Sequence, residues 1–480
     1  MEKPNVYFVS LGCPKNLVDS QVMLGKLEQK DYFITQQPEN ADVIIVNTCS
    51  FIQAAKEESI ETILEMADYK EKGQCKALVV SGCLPQRYSA ELEKQMPEID
   101  LMIGTGQYHR ITEILENRDR ALKEGAKHPP RSYIDFPAFI HTEKDARVHT
   151  GPAHSAFLKL SEGCNRRCAF CIIPTLRGNV RSRTIDSLVE EATALAANGV
   201  KELNLVAQDL THYGIETRYK ENLEELLPRL CRIEGIEWIR LHYVYPDEFS
   251  DELVEIVASE PKIVKYLDMP IQHTNDRVLK SMNRRLTKER LFKLIDSLRA
   301  RIPNIVFRTS MIVGFPSETE EEFQELCSDL TRLNLDHVGV FSYSKEEGTR
   351  AAEMTDQVNP SVRRRRQRHL IKILQEQRNQ RMDAAVGTTA VVMVEGAAPE
   401  SDLLIEARLP TQAQEIDGRI LINDLGTTDI ATIRAGDFVT VEITERANDD
   451  LIARLVSPVS AGLTIQGHRK NATRAAEVNI

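Results

Sequence analysis

Short apolar runs alternate with segments of helical periodicity along most of this chain, and this alternation limits the folds that the chain can adopt. Up to about residue 118, the β-rich runs lie at 6–11, 43–47, 77–81 and 101–104. A repeat of strand and helix packs as a mostly parallel sheet with helices on both faces. The pattern therefore predicts a doubly wound α/β domain.

A second strand–helix series begins near residue 156, after a charged stretch that we interpret as a linker with an edge element. Its predicted strands lie at 156–160, 202–206, 238–243, 266–269, 306–313 and 337–341. Six such units are too few to close an eightfold barrel. We therefore expect a partial (β/α) barrel with a curved parallel sheet.

The character of the chain changes after a basic helical stretch at 363–381. Beyond it, short β-rich runs are joined by Gly, Asp and Pro, which is typical of a small all-β barrel or sandwich. The predicted regions are an α/β domain, a partial barrel, a small β-domain and a poorly ordered tail, at 1–147, 148–381, 382–456 and 457–480.

Composition and patterning narrow the class of function. Nine cysteines in 480 residues are too sparse for a secreted disulfide scaffold, so grouped cysteines point to metal or chemistry. The sequence has no run of ~18 apolar residues and no signal-peptide pattern, so we predict no membrane span and a cytoplasmic location. The net charge of −11 argues against a general nucleic-acid binder and suits a basic protein partner.

Cys164, Cys168 and Cys171 form a C-x3-C-x2-C motif directly after the first strand of the second series. Zinc sites generally take four ligands, whereas three thiolates on one tight loop can bind three corners of an iron–sulfur cubane and leave one iron open. The open iron can chelate the amino and carboxylate groups of a cofactor. The alternative is three buried structural cysteines, which Arg166 and Arg167 inside the loop make awkward.

This motif resembles the signature of the radical S-adenosylmethionine superfamily, and the resemblance implies reductive cleavage of that cofactor to a 5′-deoxyadenosyl radical. Superfamily members bind the cofactor along the strand ends beyond the cluster. Our candidates there are Gln208 and Asp209 after the second strand and Gln272 after the fourth, with Phe170 as a shield over the cluster. Each polar candidate could equally be a satisfied loop residue, and Phe170 could equally be a packing residue.

Cys13, Cys49 and Cys83 each follow a predicted strand of the first domain. Carboxyl ends of parallel strands share one sheet edge, where ligands bind, so the three thiols are expected to converge. The alternative is three unrelated buried cysteines. The other cysteines precede a strand or lie in helical patterns and are excluded as ligands: Cys75, Cys231 and Cys327.

The order of these features resembles the methylthiotransferase family, over residues 1 to about 456. The resemblance implies that the second set of cysteines (Cys164, Cys168, Cys171) holds a radical [4Fe-4S] cluster. It implies that the first set (Cys13, Cys49, Cys83) holds an auxiliary [4Fe-4S] cluster that carries the sulfur to be inserted. The small β-domain resembles a TRAM domain, the substrate-binding module of that family.

Several strings resemble the branch that modifies an aspartate of the twelfth protein of the small ribosomal subunit. They are the strings at 10–20, 49–52, 172–174 with Arg177 and Gly178, and 343–349. The transfer-RNA branches typically differ at Pro14. The resemblance implies β-methylthiolation of the aspartate with two S-adenosylmethionine molecules, an electron donor such as flavodoxin, and no acid–base residue.

The charge of the β-domain supports a protein substrate. Residues 383–456 contain 14 acidic residues, five arginines and no lysine, a balance that repels phosphate and attracts a basic ribosomal protein. A generic solvated surface would look the same, and the arginines at 363–366 could contact ribosomal RNA. The other functions left open are a transfer RNA adenosine methylthiotransferase, a non-catalytic iron–sulfur carrier and a zinc-binding nucleic-acid module.

Overall fold

The computed structural model describes residues 3–246 and 249–457. Its N-terminal domain is built on a six-stranded parallel sheet in the order β2-β1-β3-β4-β5-β6. The strands are β1 (Asn5–Ser10), β2 (Phe33–Ile34), β3 (Val43–Thr48), β4 (Ala77–Gly82), β5 (Leu101–Gly104) and β6 (Ser132–Tyr133). The helices are α1 (Pro14–Gln29), α2 (Gln53–Ala67), α3 (Tyr69–Lys72), α4 (Cys83–Gln95) and α5 (Ile111–Lys123).

The central strands β3 and β4 are buried along their whole length. Alternate residues face two separate apolar clusters, so Val79 packs on one face of the sheet and Val80 on the other. Continuous apolar runs are expected where helices cover both faces. The doubly wound α/β prediction is confirmed. Strand β2 was not predicted, because two residues are too short to show a period, and β6 is the edge element expected in the charged stretch.

The central domain carries a second parallel sheet in the sequential order β7-β10-β11-β12-β13-β14. Its strands are β7 (Ser155–Lys159), β10 (Glu202–Val206), β11 (Trp238–Leu241), β12 (Ile263–Asp268), β13 (Val306–Val313) and β14 (His337–Ser342), with a small antiparallel pair, β8 (Ser161–Glu162) and β9 (Arg181–Ser182). The helices are α6 (Ile173–Arg177), α7 (Ile185–Ala197), α8 (Leu223–Cys231), α9 (Asp251–Ser259), α10 (Asp276–Ser281), α11 (Lys288–Arg301), α12 (Glu320–Leu333), α13 (Arg350–Glu353) and α14 (Pro360–Ala385). The expected partial barrel is confirmed.

The last described domain is a closed β-barrel, so the small β-domain is the barrel and not the sandwich that the sequence also allowed. The strands of this C-terminal barrel are β15 (Thr389–Ala398), β16 (Ser401–Arg408), β17 (Ile420–Asp424), β18 (Phe438–Ala447) and β19 (Asp450–Ser457). The predicted tail falls outside the described residues from position 458 onward. No helix in the described part of the chain is both long and apolar enough to cross a membrane.

A buried carboxylate attaches the C-terminal barrel to the central sheet. Glu202 on β10 accepts hydrogen bonds from Arg240 on β11, at 3.0 Å from Nη2, and from Arg408 on β16, at 3.0 Å from Nη1. All three side chains are almost fully buried. A buried charge is tolerated only when it is paired, so this triad fixes where the barrel docks.

Candidate functional site

Cys13, Cys49 and Cys83 lie at the carboxyl edge of the N-terminal sheet. Cys49 directly follows β3, Cys83 directly follows β4, and Cys13 comes three residues after β1 and caps helix α1. These strands are neighbours in register, with Ser10 opposite Asn47 and Thr48 opposite Gly82. The three cysteines therefore follow adjacent strands at one end of one sheet, as the sequence predicted.

Glycine permits the close approach of these loops. Gly12 has φ +93°, and a Cβ added to it would lie 2.8 Å from Cys49 Cβ and 3.2 Å from Cys49 Sγ. Residues other than glycine rarely adopt this backbone conformation. The space that a Cβ would need is already filled by the Cys49 side chain. The backbone before Cys13 therefore packs directly against Cys49.

The three thiols share one electrostatic environment. Burial raises the pKa of Cys83 to about 12; the Arg177 guanidinium opposes this, and the charges of Cys49 and Cys13 add to it. Burial also raises the pKa of Cys49; the Phe51 backbone N–H lowers it and Cys13 raises it. Such thiols stay protonated unless a metal centre supplies positive charge, because coordinating thiols are deprotonated by the metal.

Cysteine thiolates are ligands both of zinc ions and of iron–sulfur clusters. The described residues contain no group of three or more His, Cys, Asp or Glu side chains gathered closely enough to hold one metal ion. Around a zinc ion, all sulfur ligands bind the same atom. In a cubane each sulfur binds a different iron, so its ligands stand farther apart. Three thiols match three corners of a cubane, whereas a structural zinc site takes four ligands.

The second cysteine set occupies a loop closed by the β8–β9 pair at the end of β7. The backbone N–H of Arg166 lies 3.5 Å from Cys164 Sγ, and Arg284 Nη1 lies 3.9 Å from Cys168 Sγ. Burial raises the pKa of Cys164 to about 11, and burial followed by the charge of Cys168 raises the pKa of Cys171. Donors directed at sulfur are the surroundings that iron–sulfur ligands require.

Asp209 contacts the cysteine loop itself. Its carboxylate accepts a hydrogen bond from Arg166 Nε at 2.6 Å and from Thr211 Oγ1 at 2.7 Å. The Arg166 guanidinium also lies 3.7 Å from the ring centre of Tyr245. Asp209 was a candidate for either a cofactor contact or a loop contact, and in the structure its carboxylate pairs with Arg166 of the loop that carries the cysteines.

The other three cofactor candidates lie at or beside the carboxyl edge of the central sheet. Gln208 donates to Glu162 Oε1 at 2.6 Å, and its own Oε1 is buried without a partner among the described residues. The Gln272 side chain makes no hydrogen bond with the described residues, although its backbone pairs with β13 at φ +76°. Phe170 packs partly buried against an apolar cluster that contains Phe315.

A buried ionic network joins the two cysteine sites. Arg177, at the end of α6, donates to Asp19 Oδ2 at 2.7 Å, to Glu162 Oε2 at 2.9 Å and to Asn16 Oδ1 at 3.0 Å. Lys159 donates to Asp19 and, at 2.9 Å, to Glu162. The four charged side chains are at most 4% exposed. The carboxyl edges of the two sheets therefore face each other.

A second ion group lies at the same interface. Glu346, in the loop after β14, accepts hydrogen bonds from Lys56 Nζ at 2.9 Å and from Arg87 Nη1 at 3.0 Å. The same Arg87 nitrogen donates to the backbone carbonyl of Ser50 at 2.8 Å, next to Cys49. Together with the Arg177 network, these contacts hold the N-terminal domain against the central domain.

Sequence reasoning did not single out Asp19, Lys159 or Glu162, and it quoted Arg177 only as part of a string. The sequence does contain one sign of this network, which is a charged residue within an otherwise apolar strand. Lys159 ends the strand sequence Ser155–Lys159, in which four of the five residues are buried. A charge at such a position requires a buried partner, and the partner can come from a distant segment.

The geometry defines a class of protein. A partial (β/α) barrel with a three-cysteine loop at its carboxyl edge, joined to an α/β domain with a second three-cysteine edge, is the arrangement of a radical S-adenosylmethionine methylthiotransferase. Three family descriptions match the chain: the radical SAM superfamily at residues 158–330, the TRAM domain at 386–456, and the uncharacterized protein family UPF0004 at 5–104.

Curated relatives identify the family within this class of enzymes. A ribosomal protein uS12 methylthiotransferase RimO from Pelobacter propionicus is 48% identical, over 95% of this chain and 98% of its own. The protein of that name from Geobacter sulfurreducens is 46% identical, over 95% and 99%. That from Myxococcus xanthus is 47% identical, over 94% and 92%. This chain belongs to the RimO methylthiotransferase family.

Solved structures share the fold at low identity. The radical S-adenosylmethionine methyltransferase TsrM from Kitasatospora setae, with cobalamin and a [4Fe-4S] cluster bound, is 15% identical, with a TM-score of 0.50 over 71% of this chain and 75% of that one. The same enzyme with tryptophan and a cofactor analogue gives a TM-score of 0.52, at 15% identity over 70% and 73%. This likeness shows that about 70% of the chain shares the fold of this enzyme.

Proposed function

We propose that this chain β-methylthiolates an aspartate residue of ribosomal protein uS12, consuming two S-adenosylmethionine molecules. The observation that carries the proposal is the placement of two three-cysteine sites on facing sheet edges, joined by buried contacts. The names of relatives that align with about 95% of the chain supply the substrate.

In this proposal each cysteine set holds one [4Fe-4S] cluster. Cys164, Cys168 and Cys171 would hold the radical cluster, and the auxiliary cluster would be held by Cys13, Cys49 and Cys83. When bound, the clusters and S-adenosylmethionine supply hydrogen-atom abstraction from an unactivated carbon and a source of sulfur. The proposed boundaries of the two cluster domains and the TRAM domain are 1–147, 148–381 and 382–456.

The side chains bind and orient the cofactor, and the chain needs no acid–base residue. The buried Oε1 of Gln208 and the amide of Gln272, which has no hydrogen-bond partner among the described residues, are the polar groups proposed to receive S-adenosylmethionine. Asp209 holds the cysteine loop through Arg166, and Phe170 shields the loop from water. Shielding matters because radical chemistry requires a site from which competing reactions are excluded.

The charge of the C-terminal barrel supports a basic protein substrate. The 14 acidic residues and five arginines of residues 383–456 favour approach of a lysine- and arginine-rich ribosomal protein. A transfer RNA substrate is not favoured, because this balance repels phosphate and the relatives are named for a ribosomal protein. The proposed location is the cytoplasm, with a small electron donor such as flavodoxin.

The test combines metal analysis with product analysis. We expect about eight iron atoms per chain after anaerobic reconstitution and about four after Cys164, Cys168 and Cys171 are changed to Ala. The intact protein, with S-adenosylmethionine and a reductant, should add one methylthio group to uS12 at an aspartate. Modification of transfer RNA but not uS12 would overturn the substrate, and a variant without iron would overturn the auxiliary site.

A further inference from the structure

Arg177 belongs to the central domain, and its side chain reaches the N-terminal cysteine site. Its guanidinium is 2% exposed, and Nη2 lies 3.7 Å from Cys83 Sγ. The same Nη2 donates to Asn16 Oδ1, on the helix that Cys13 caps. One guanidinium from the central domain therefore contacts both the Cys83 thiol and the helix that begins after Cys13. Both cysteines belong to the first set.

The segments on both sides of the C-x3-C-x2-C motif hold this guanidinium. Arg177 follows Cys171 by six residues, at the end of helix α6. Glu162, which accepts from Arg177 at 2.9 Å, precedes Cys164 by two residues. The loop that carries one cysteine set and the cation that contacts the other set are thus parts of one local structure.

Apolar contacts strengthen this connection. Ile172 and Leu176, on or next to α6, pack with Cys83 in one small buried cluster. Thr105, at the end of β5, donates its hydroxyl to the Leu176 carbonyl at 2.5 Å. Helix α6 is therefore fixed to the N-terminal sheet by packing, by a hydrogen bond and by a charged group.

The charges explain why an arginine suits this position. Asp19 and Glu162 are balanced by Lys159 and Arg177, so the network of four is neutral without any thiol. The contact with Cys83 is an additional one, made possible by the several donors of the guanidinium. Hydrogen bonds and positive charge at a sulfur ligand stabilise the reduced, more negative form of an iron–sulfur cluster.

We propose that Arg177 is a positioning residue that holds the Cys83 sulfur from the opposite domain and raises the reduction potential of the auxiliary cluster. The inference rests on the proposed assignment of Cys13, Cys49 and Cys83 to that cluster. In this proposal the auxiliary site depends on domain docking, because the positive charge next to Cys83 comes from a residue of the radical domain.

A matching contact provides a control within the same molecule. Arg284 Nη1 lies 3.9 Å from Cys168 Sγ, in the other cysteine set, and its guanidinium stacks on Tyr245 at 4.2 Å. Arg183 is equally buried and pairs with Glu191, away from any thiol contact among the described residues. Variants of these two arginines distinguish a change in the potential of one cluster from the general effect of losing a buried cation.

The experiment measures midpoint potentials by redox titration followed by electron paramagnetic resonance. The auxiliary cluster is observed alone in the full chain with Cys164, Cys168 and Cys171 changed to Ala. In that background we expect Arg177→Met to lower the midpoint potential, Arg177→Lys to restore part of it, and Arg284→Gln and Arg183→Gln to leave it unchanged. In the reciprocal background, with the first cysteine set changed to Ala, only Arg284→Gln should shift the potential.

Folding is controlled by a charge-balanced variant. Arg177→Met combined with Asp19→Asn keeps the network neutral, and its potential should still lie below that of the background protein, although less far below than with the single change, because a nearby negative charge is removed as well. An unchanged potential in this variant, with iron content retained, would overturn the inference while leaving the proposed function standing. A background variant that binds no iron would overturn the auxiliary cluster itself, and the two failures are therefore distinct.

Discussion

The ammonium of Lys15 lies 3.6 Å from the centre of the Tyr243 ring, so a lysine next to Cys13 stacks on a tyrosine of the other domain. Lys15 is 8% exposed, and Tyr243 has φ +60°, an uncommon conformation for a bulky residue. Together with the Arg177 network, this contact holds the two sheet edges against each other around the cysteines.

This pair should show measurable coupling. We expect Lys15→Met and Tyr243→Leu each to destabilise the folded protein. The double variant should lose less than the sum by about 1–2 kcal/mol, because a desolvated cation–π contact is removed only once. Urea unfolding of the four proteins measures the coupling. Strictly additive losses would show that the stacking contributes nothing.

Gly12→Ala should remove the iron of the proposed auxiliary cluster without affecting the proposed radical cluster. The new Cβ would lie 2.8 Å from Cys49 Cβ, and φ is +93°. We expect about four iron atoms per chain in place of about eight. Gly125→Ala is a matched control, because Gly125 has φ +89° and nothing within 4 Å of an added Cβ. Equal iron loss in both variants would contradict the steric explanation.

Stability should fall as pH is lowered, in part through His273. Burial lowers the pKa of this fully buried histidine to about 3, opposed by Glu322 and Glu325. Between this value and ~6.5, the unfolded chain binds a proton that the folded chain does not, so stability is lost as pH falls through that window.

We expect His273→Gln to reduce this loss by on the order of 3 kcal/mol at pH 4. Glutamine does not titrate, and it can still accept the hydrogen bond that His273 Nδ1 receives from the Asn275 backbone at 3.0 Å. Urea midpoints measured between pH 4 and 7 give the slope. An identical slope in wild type and variant would show that His273 is already protonated in the folded state.

Glu202→Gln should loosen the C-terminal barrel. The change leaves Arg240 and Arg408 buried without their shared carboxylate, and breaking a buried pair costs about 3–5 kcal/mol. Limited proteolysis should release the barrel earlier than in wild type. Glu442→Gln is the control, because its pair with Arg454 is exposed and worth about 0–1 kcal/mol. If the protease releases the barrel from both variants at the same rate, Glu202 is not the residue that holds the barrel to the central sheet.

The sequence by itself determined the elements and the positions of the cysteines within them. Apolar runs such as those that became Val43–Thr48 and Ala77–Gly82 are local signals, and a cysteine that directly follows a parallel strand must lie at its carboxyl edge. The bounds of Glu202–Val206, Val306–Val313 and Leu101–Gly104 were predicted to the residue.

Only the tertiary structure decided which distant groups meet. Arg177 and Cys83 are 94 residues apart, and Lys159 and Asp19 are 140 apart. The sequence left Asp209 equally suited to a cofactor contact or a loop contact, and the structure pairs it with Arg166. The periodicity of apolar residues indicates which face of a helix or strand is buried. The partner of a buried charge depends instead on how two domains dock. That information is not contained in the sequence of either segment alone.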